Sequence, residues 1–268
     1  MAAGALVAPL LAPLRAMAEE AGRTEFSAVA AAEAEKPALL AAPRAVDMPI
    51  LVYHHVVPGR SPSLLFENPD SFEQELKYLK DNGYQPVSFD DLADCLEHGV
   101  ALPERPVILS FDDGWDNQFN HAFPLLQKYS FTATFFAVTG YVDHENFMTT
   151  EQLKTLLAAG MTIGSHTRTH PALAGVGGGQ RLREEVAGSK AWLEDRLEIA
   201  VSTFAYPYGS YSASVVAAVK AAGYRTARTV DIGTHYTPAD LATLAGVVFP
   251  AYLRHYRGTV ELAAAGPR

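Results

Sequence analysis

The sequence predicts a parallel α/β fold, a barrel in preference to an open sheet, and three observations carry that prediction. Short apolar, β-branched or aromatic runs alternate with amphipathic stretches along most of the chain, the pattern of repeated β-α units. About seven such runs fall within roughly 220 residues, the size of one domain and a strand number that suits a closed sheet. Three of the runs end on Asp, His or Tyr clusters, and the carboxyl rim of a parallel sheet is where such side chains gather.

Residues 49–56 (PILVYHHV) read as the first strand. Residues 70–82 follow as a helix with Phe72, Leu76 and Leu79 on one face and Gly83 beyond its end. A short strand at 86–89 leads into a helix at 90–98, and residues 106–111 (PVILSF) have the near-continuous apolarity of a buried strand. A helix near 117–129 and a strand at 132–138 (TATFFAV) come next. Thr149, with Gln152 three places on, forms a capping box that opens a helix over 149–159. Strands at 161–165, 202–205 and 224–230 follow, with helices near 181–197 and 212–222 between them. No repeat of fixed period is present, and the 175–179 loop (GVGGG) lacks the Lys-Ser/Thr of a phosphate-binding loop.

Composition narrows the function. Of 268 residues, 49% are hydrophobic, which excludes a wholly disordered chain. Lys and Arg number 21 against 30 Asp and Glu, a net charge of −9, and no basic cluster occurs, so no nucleic-acid partner is expected. The single cysteine, Cys95, excludes an internal disulfide and an all-cysteine zinc site; it reads as a small buried residue of its helix. The longest apolar run lies at the start and is shorter than the roughly 20 residues that span a bilayer, so no integral membrane domain is expected. That run, residues 2–14, ends near Ala16-Met17-Ala18, a small-x-small pattern that reads as an export signal although a basic leading segment is missing. Residues 1–47 are thus taken as signal peptide and Ala-rich spacer, 48–268 as one globular domain, and the protein as exported. The sequence carries no signal for an oligomeric state.

Chemistry collects at three strand ends: Ser110 to Gly114 (SFDDG), His166 to His170 (HTRTH) and Tyr206 to Gly209 (YPYG). Neighbouring residues on a strand point to opposite faces, so Asp112 and Asp113 can both serve one site only where the strand ends, and Gly114 permits that ending. Two adjacent carboxylates repel, and a cation beside them removes the conflict. His166 and His170 have the spacing of a metal-binding pair, but Thr167 stands where a helical metalloprotease motif has its glutamate, and Pro171 disfavours a helix there. Two histidines and one carboxylate leave a coordination position for water, the pattern of a catalytic zinc site. Asp113 is then the third ligand and Asp112 the base. Metal-assisted hydrolysis is preferred to a serine mechanism, since no G-x-S-x-G elbow exists. His54, Trp115 and Pro207 are candidates for lining the substrate site; Trp192 is expected in the core.

SFDDG, IGSHTRTHPAL and FAYPYG together resemble the polysaccharide deacetylase (NodB-homology) family, over nearly all of residues 48 to about 230. YHHV at 53–56 is similar to the opening of the subgroup acting on poly-N-acetylglucosamine. The resemblance implies an irregular (β/α)7-type barrel over 48–268, a divalent metal, usually zinc, and hydrolysis of N-acetyl groups from a GlcNAc-containing polysaccharide to give acetate. It makes Asp112 the base, Asp113, His166 and His170 the metal ligands, and the Tyr208 backbone N–H the oxyanion support. Many members carry an arginine two residues before the third motif's proline, where this chain has Ala205, and a Leu-x-His strand whose histidine is the general acid, here at most His255. Poly-β-1,6-GlcNAc is the favoured polymer, with peptidoglycan and chitin oligomers behind it. The rival readings are a carbohydrate-binding scaffold without turnover and a metal-dependent amidase of small molecules.

Overall fold

A computed structural model describes residues 44–59, 63 and 65–248. The export signal, nearly all of the spacer and His255 lie outside the described residues.

The chain runs β1 (Val46–Asp47), β2 (Ile50–Tyr53), β3 (His55–Val56), β4 (Phe66–Glu67), α1 (Pro69–Asp81), β5 (Gln85–Pro86), α2 (Phe89–His98), β6 (Pro106–Phe111), α3 (Phe123–Tyr129), β7 (Thr134–Ala137) and α4 (Thr150–Ala158). Then come β8 (Thr162–Ser165), α5 (Gln180–Arg183), α6 (Ser189–Leu197), β9 (Thr203–Ala205), α7 (Ala213–Ala221), β10 (Thr226–Arg228), β11 (His235–Tyr236) and β12 (Val247–Val248). The main sheet is parallel, in the order β10-β9-β8-β7-β6-β2-β12, with β5 pairing alongside β6. A bridge between Arg228 and Leu244 brings the segment before β12 against β10, the strand at the opposite edge. The sheet thus curls toward an irregular barrel with one weak seam.

Both faces of the sheet are covered, which is why β2 and β7 are buried at every residue and read as continuous apolar runs. Leu51, Leu109, Phe135, Ile163 and Phe204 project outward into the larger core, against Leu76, Leu126, Leu156, Val186 and Val219 from the surrounding helices. Ile50, Ile108, Phe136 and Ala205 point the other way into an inner core shared with Phe89, Leu92 and Leu96 of α2. Gly164 is required there: a Cβ would sit 2.4 Å from the Phe136 ring.

Several elements depart from the sequence reading. The first strand stops at Tyr53, and His55–Val56 pairs instead with Phe66–Glu67 in a separate ribbon. The helices expected near 117–129 and 181–197 each contain a π-helical stretch, Gln118–Ala122 and Glu184–Gly188. The strand expected at 86–89 is Gln85–Pro86. Strand β12 was not expected; two residues give no alternation to read. The Thr149 box forms as expected, with Gln152 N–H donating to Thr149 Oγ1 at 3.2 Å and Thr149 N–H to Gln152 Oε1 at 2.8 Å.

The β3-β4 ribbon carries Glu67 into the interior, 4% exposed. Burial pushes its carboxyl up from 4.5 to about 7, against the opposing Asn68 N–H and Ser71 side chain. A raised folded-state pKa stabilises fully below the unfolded value and is lost as pH rises through about 7. Glu67→Gln is therefore expected to raise unfolding stability by on the order of 2 kcal/mol at pH 8 and to change it little near pH 4.5. Denaturant titrations at the two pH values measure the difference.

Candidate metal centre and active site

Strand β6 delivers Asp112 and Asp113 to the rim, and the backbone separates them. Asp112 still follows the sheet, its N–H donating to Tyr53 O at 2.9 Å, while Asp113 turns into the left-handed region at φ 73° and Gly114 follows at 79°. The buried Gln118 side chain ties this rim to the neighbouring one, Nε2 donating to His54 O at 2.7 Å and Asp112 O at 2.5 Å.

Asp113 faces the two histidines. Its Oδ1 lies 3.4 Å from His166 Nε2 and 3.2 Å from His170 Nε2, and the two Nε2 atoms are 3.1 Å apart. Among the described residues these three form the group able to hold a metal ion. His166 Nδ1 lies 2.8 Å from the Ala205 carbonyl, which can only accept, so Nδ1 carries the proton and Nε2 presents its lone pair. Two imidazole nitrogens and a carboxylate oxygen thus converge on one point, where His166 offers a lone pair. A divalent cation satisfies all three, and the donor set fits a zinc-type ion with room for further ligands.

The turn that carries the histidines is held from behind. Thr167 and His170 adopt φ of 68° and 59°, unfavourable for residues with a Cβ. Buried Glu185 accepts from Arg168 N–H at 3.0 Å, Thr169 N–H at 2.8 Å and the Thr169 hydroxyl at 2.5 Å. Thr167 Oγ1 accepts from His170 N–H at 2.9 Å. Gly140 N–H donates to Arg168 O at 2.8 Å, an approach that a Cβ at 140 would block at 2.5 Å.

Asp112 sits beside this cluster and is 2% exposed. Its Oδ1 is ion-paired with Nη2 of Arg228, a fully buried side chain of β10 whose Nη1 also donates to Thr229 O at 3.0 Å. His54 Nε2 is 3.8 Å from Asp112 Oδ2. Burial works against the Asp112 anion, but Arg228, then His166 and His54, outweigh it and hold the carboxyl below its usual range. Asp113 behaves alike: burial opposes the charge, and the neighbouring His166 and His170 hold it well below the usual carboxylate value. Burial also lowers the His54 pKa despite the neighbouring Asp112 and Asp113.

The third strand end completes the rim. Pro207 is buried, and Tyr208 is exposed at φ 58° with its ring 4.7 Å edge-on from His170. Trp115 donates Nε1–H to Asp113 Oδ2 at 2.9 Å and packs on His55 and Phe147, each with ring centres 4.3 Å away. The indole thereby engages the carboxylate that faces the two histidines. His55 in turn stacks on Phe66 and lies 3.1 Å from Asn117. The sequence reading missed Arg228, Glu185 and Gln118. An arginine inside the apolar run 224–230 was the available signal for the first, since a buried guanidinium demands a carboxylate.

Comparison with known proteins places the chain in a family. The polysaccharide deacetylase family model matches residues 99–227. A Bacillus subtilis relative named as a polysaccharide deacetylase is 32% identical, over 74% of this chain and 67% of its own. The Escherichia coli poly-β-1,6-N-acetyl-D-glucosamine N-deacetylase is 23% identical over 61% of this chain and only 30% of its own length. A Streptococcus pyogenes deacetylase solved with acetate superposes with a TM-score of 0.75 at 28% identity, covering 82% of this chain and 99% of that one. Sequence and sheet agree, and the chain belongs to the polysaccharide deacetylase family.

Proposed function

We propose that this protein is a metal-dependent N-deacetylase of a GlcNAc-containing polysaccharide, with poly-β-1,6-GlcNAc the favoured substrate. The observation that carries the reading is the convergence of Asp113, His166 and His170 beside an Asp112 kept ionised by Arg228. Asp113, His166 and His170 would hold the ion, zinc by the chemistry of the donor set, and it would supply Lewis-acid polarisation of the acetamide carbonyl and the attacking water. Asp112 takes the proton from that water as it attacks the carbonyl carbon. The Tyr208 backbone N–H supports the oxyanion, and His54, Trp115 and Pro207 line the approach. The C–N bond then breaks as the proton held by Asp112 passes to the leaving nitrogen, giving acetic acid, which ionises to acetate, and a free amine. The choice of polymer is supported by the E. coli and several Staphylococcus aureus relatives, which are named for that substrate. The domain 48–268 would act outside the cytoplasm, where its polymer is found.

The test is acetate release from poly-N-acetylglucosamine by metal-stripped protein, with and without zinc, beside Asp112→Asn. Zinc should restore release, and Asp112→Asn should bind zinc yet lose on the order of 10²–10⁴-fold in rate. Zinc binding without release from any N-acetylated polymer would favour the binding scaffold.

A further inference from the structure

Arg168, midway between the two histidines, also lines a cavity of about 490 Å³ that the proposed chemistry does not use. The size suits a small ligand or one sugar unit. Trp192, expected in the core, packs against it but is only half-buried and also lines this wall, with the Arg196 guanidinium 5.3 Å over its ring. Among the described residues, neither Arg168 nor Arg196 has a carboxylate within ion-pair distance. The lining acids are already engaged: Asp143 accepts from Thr150 N–H and Oγ1–H at 2.7 and 2.8 Å, and Glu184 from Gln180 Nε2 at 2.8 Å. The cavity-facing part of the indole thus sits among two cationic donors and two anionic acceptors whose formal charges cancel.

That balance selects the ligand. A strongly anionic group would meet two carboxylates, and a cation would meet two guanidinium groups. A neutral ring with one apolar face and vicinal hydroxyls suits all of them, its C–H face on the indole and its hydroxyls paired with planar guanidinium and carboxylate groups. We propose that this cavity is a secondary site for a pyranose unit of the polymer, away from the acetamide being hydrolysed. The proposal rests on the reading of the substrate as a GlcNAc polymer. Because Glu185 and Gly140 clamp the backbone around Arg168, a sugar bound here shares one rigid turn with His166 and His170. It would set the register of a long chain on the site.

The experiment is calorimetric binding of β-1,6-linked GlcNAc dimer and of a long oligomer to full-length, zinc-loaded Asp112→Asn, which binds without turnover. Adding Trp192→Ala should weaken the long oligomer roughly tenfold and leave the dimer unchanged. Adding Arg196→Ala, on an exposed side chain that folding does not need, should weaken it several-fold. Unchanged long-oligomer affinity in both double variants overturns the proposal and leaves the deacetylase reading standing. Failure of Asp112→Asn to bind any GlcNAc oligomer overturns the substrate reading, and the secondary site with it.

Discussion

Arg228→Met is expected to abolish most acetate release and to cost roughly 3–5 kcal/mol of stability, the usual penalty for stranding one member of a buried ion pair. Arg228 is fully buried, bonds Asp112 Oδ1 and Thr229 O, and lies 5.4 Å from the Phe136 ring. Without the guanidinium, the Asp112 carboxyl has burial acting against its charge and its largest favourable partner gone. Its pKa therefore rises and its capacity to act as a base falls. Stability and catalysis separate in the double variant. Asp112→Asn/Arg228→Met removes both charges, so denaturant unfolding should recover most of the loss while acetate release stays absent. Arg228→Lys should recover activity only in part, because a single ammonium cannot reproduce the paired contacts to Asp112 and Thr229. Wild-type rates in Arg228→Met would show that Asp112 needs no partner.

Glu185→Ala is the second large effect, and it acts through metal affinity. The glutamate touches none of the converging donors, yet its three hydrogen bonds brace a turn in which Thr167 and His170 hold left-handed backbone angles. Conformations of this kind cost of order 1–3 kcal/mol each and persist only while their surroundings enforce them. Zinc affinity in Glu185→Ala should fall about 10–100-fold, as for other residues that orient metal ligands. Glu185→Gln keeps one acceptor for the two backbone N–H groups and should stay within several-fold of wild type. Competition titration against a chromophoric chelator gives both numbers. Equal loss in the Gln and Ala variants would implicate the charge and not the bracing.

What was legible in the sequence follows from how local each signal is. Strands such as 106–111 and the Thr149 cap declare themselves within a few residues, and so do the SFDDG and HTRTH strand ends. The partners of those motifs lie far away along the chain: Arg228 is 116 residues from Asp112, and Glu185 reaches back 16 or 17 residues to Thr169 and Arg168. Neither side chain has a neighbouring pattern that names its target. Trp192 packs against the core as expected, and the cavity beside it was illegible for a related reason. Helical periodicity identifies an inward face but not a wall left open beside it. The adjacent His54 and His55 point apart, one toward Asp112 and one into the Phe66–Trp115 stack.

Ala205 and Arg228 are direct neighbours in register on β9 and β10. The family resemblance leads one to expect a guanidinium at 205; here it reaches the Asp112 carboxylate from the neighbouring strand instead, through space that a methyl side chain leaves open. A second arginine in this register would crowd one carboxylate and repel the first. Ala205→Arg would set two guanidinium groups against one carboxylate in a fully buried site, a burden that the pairing of Arg228 alone avoids.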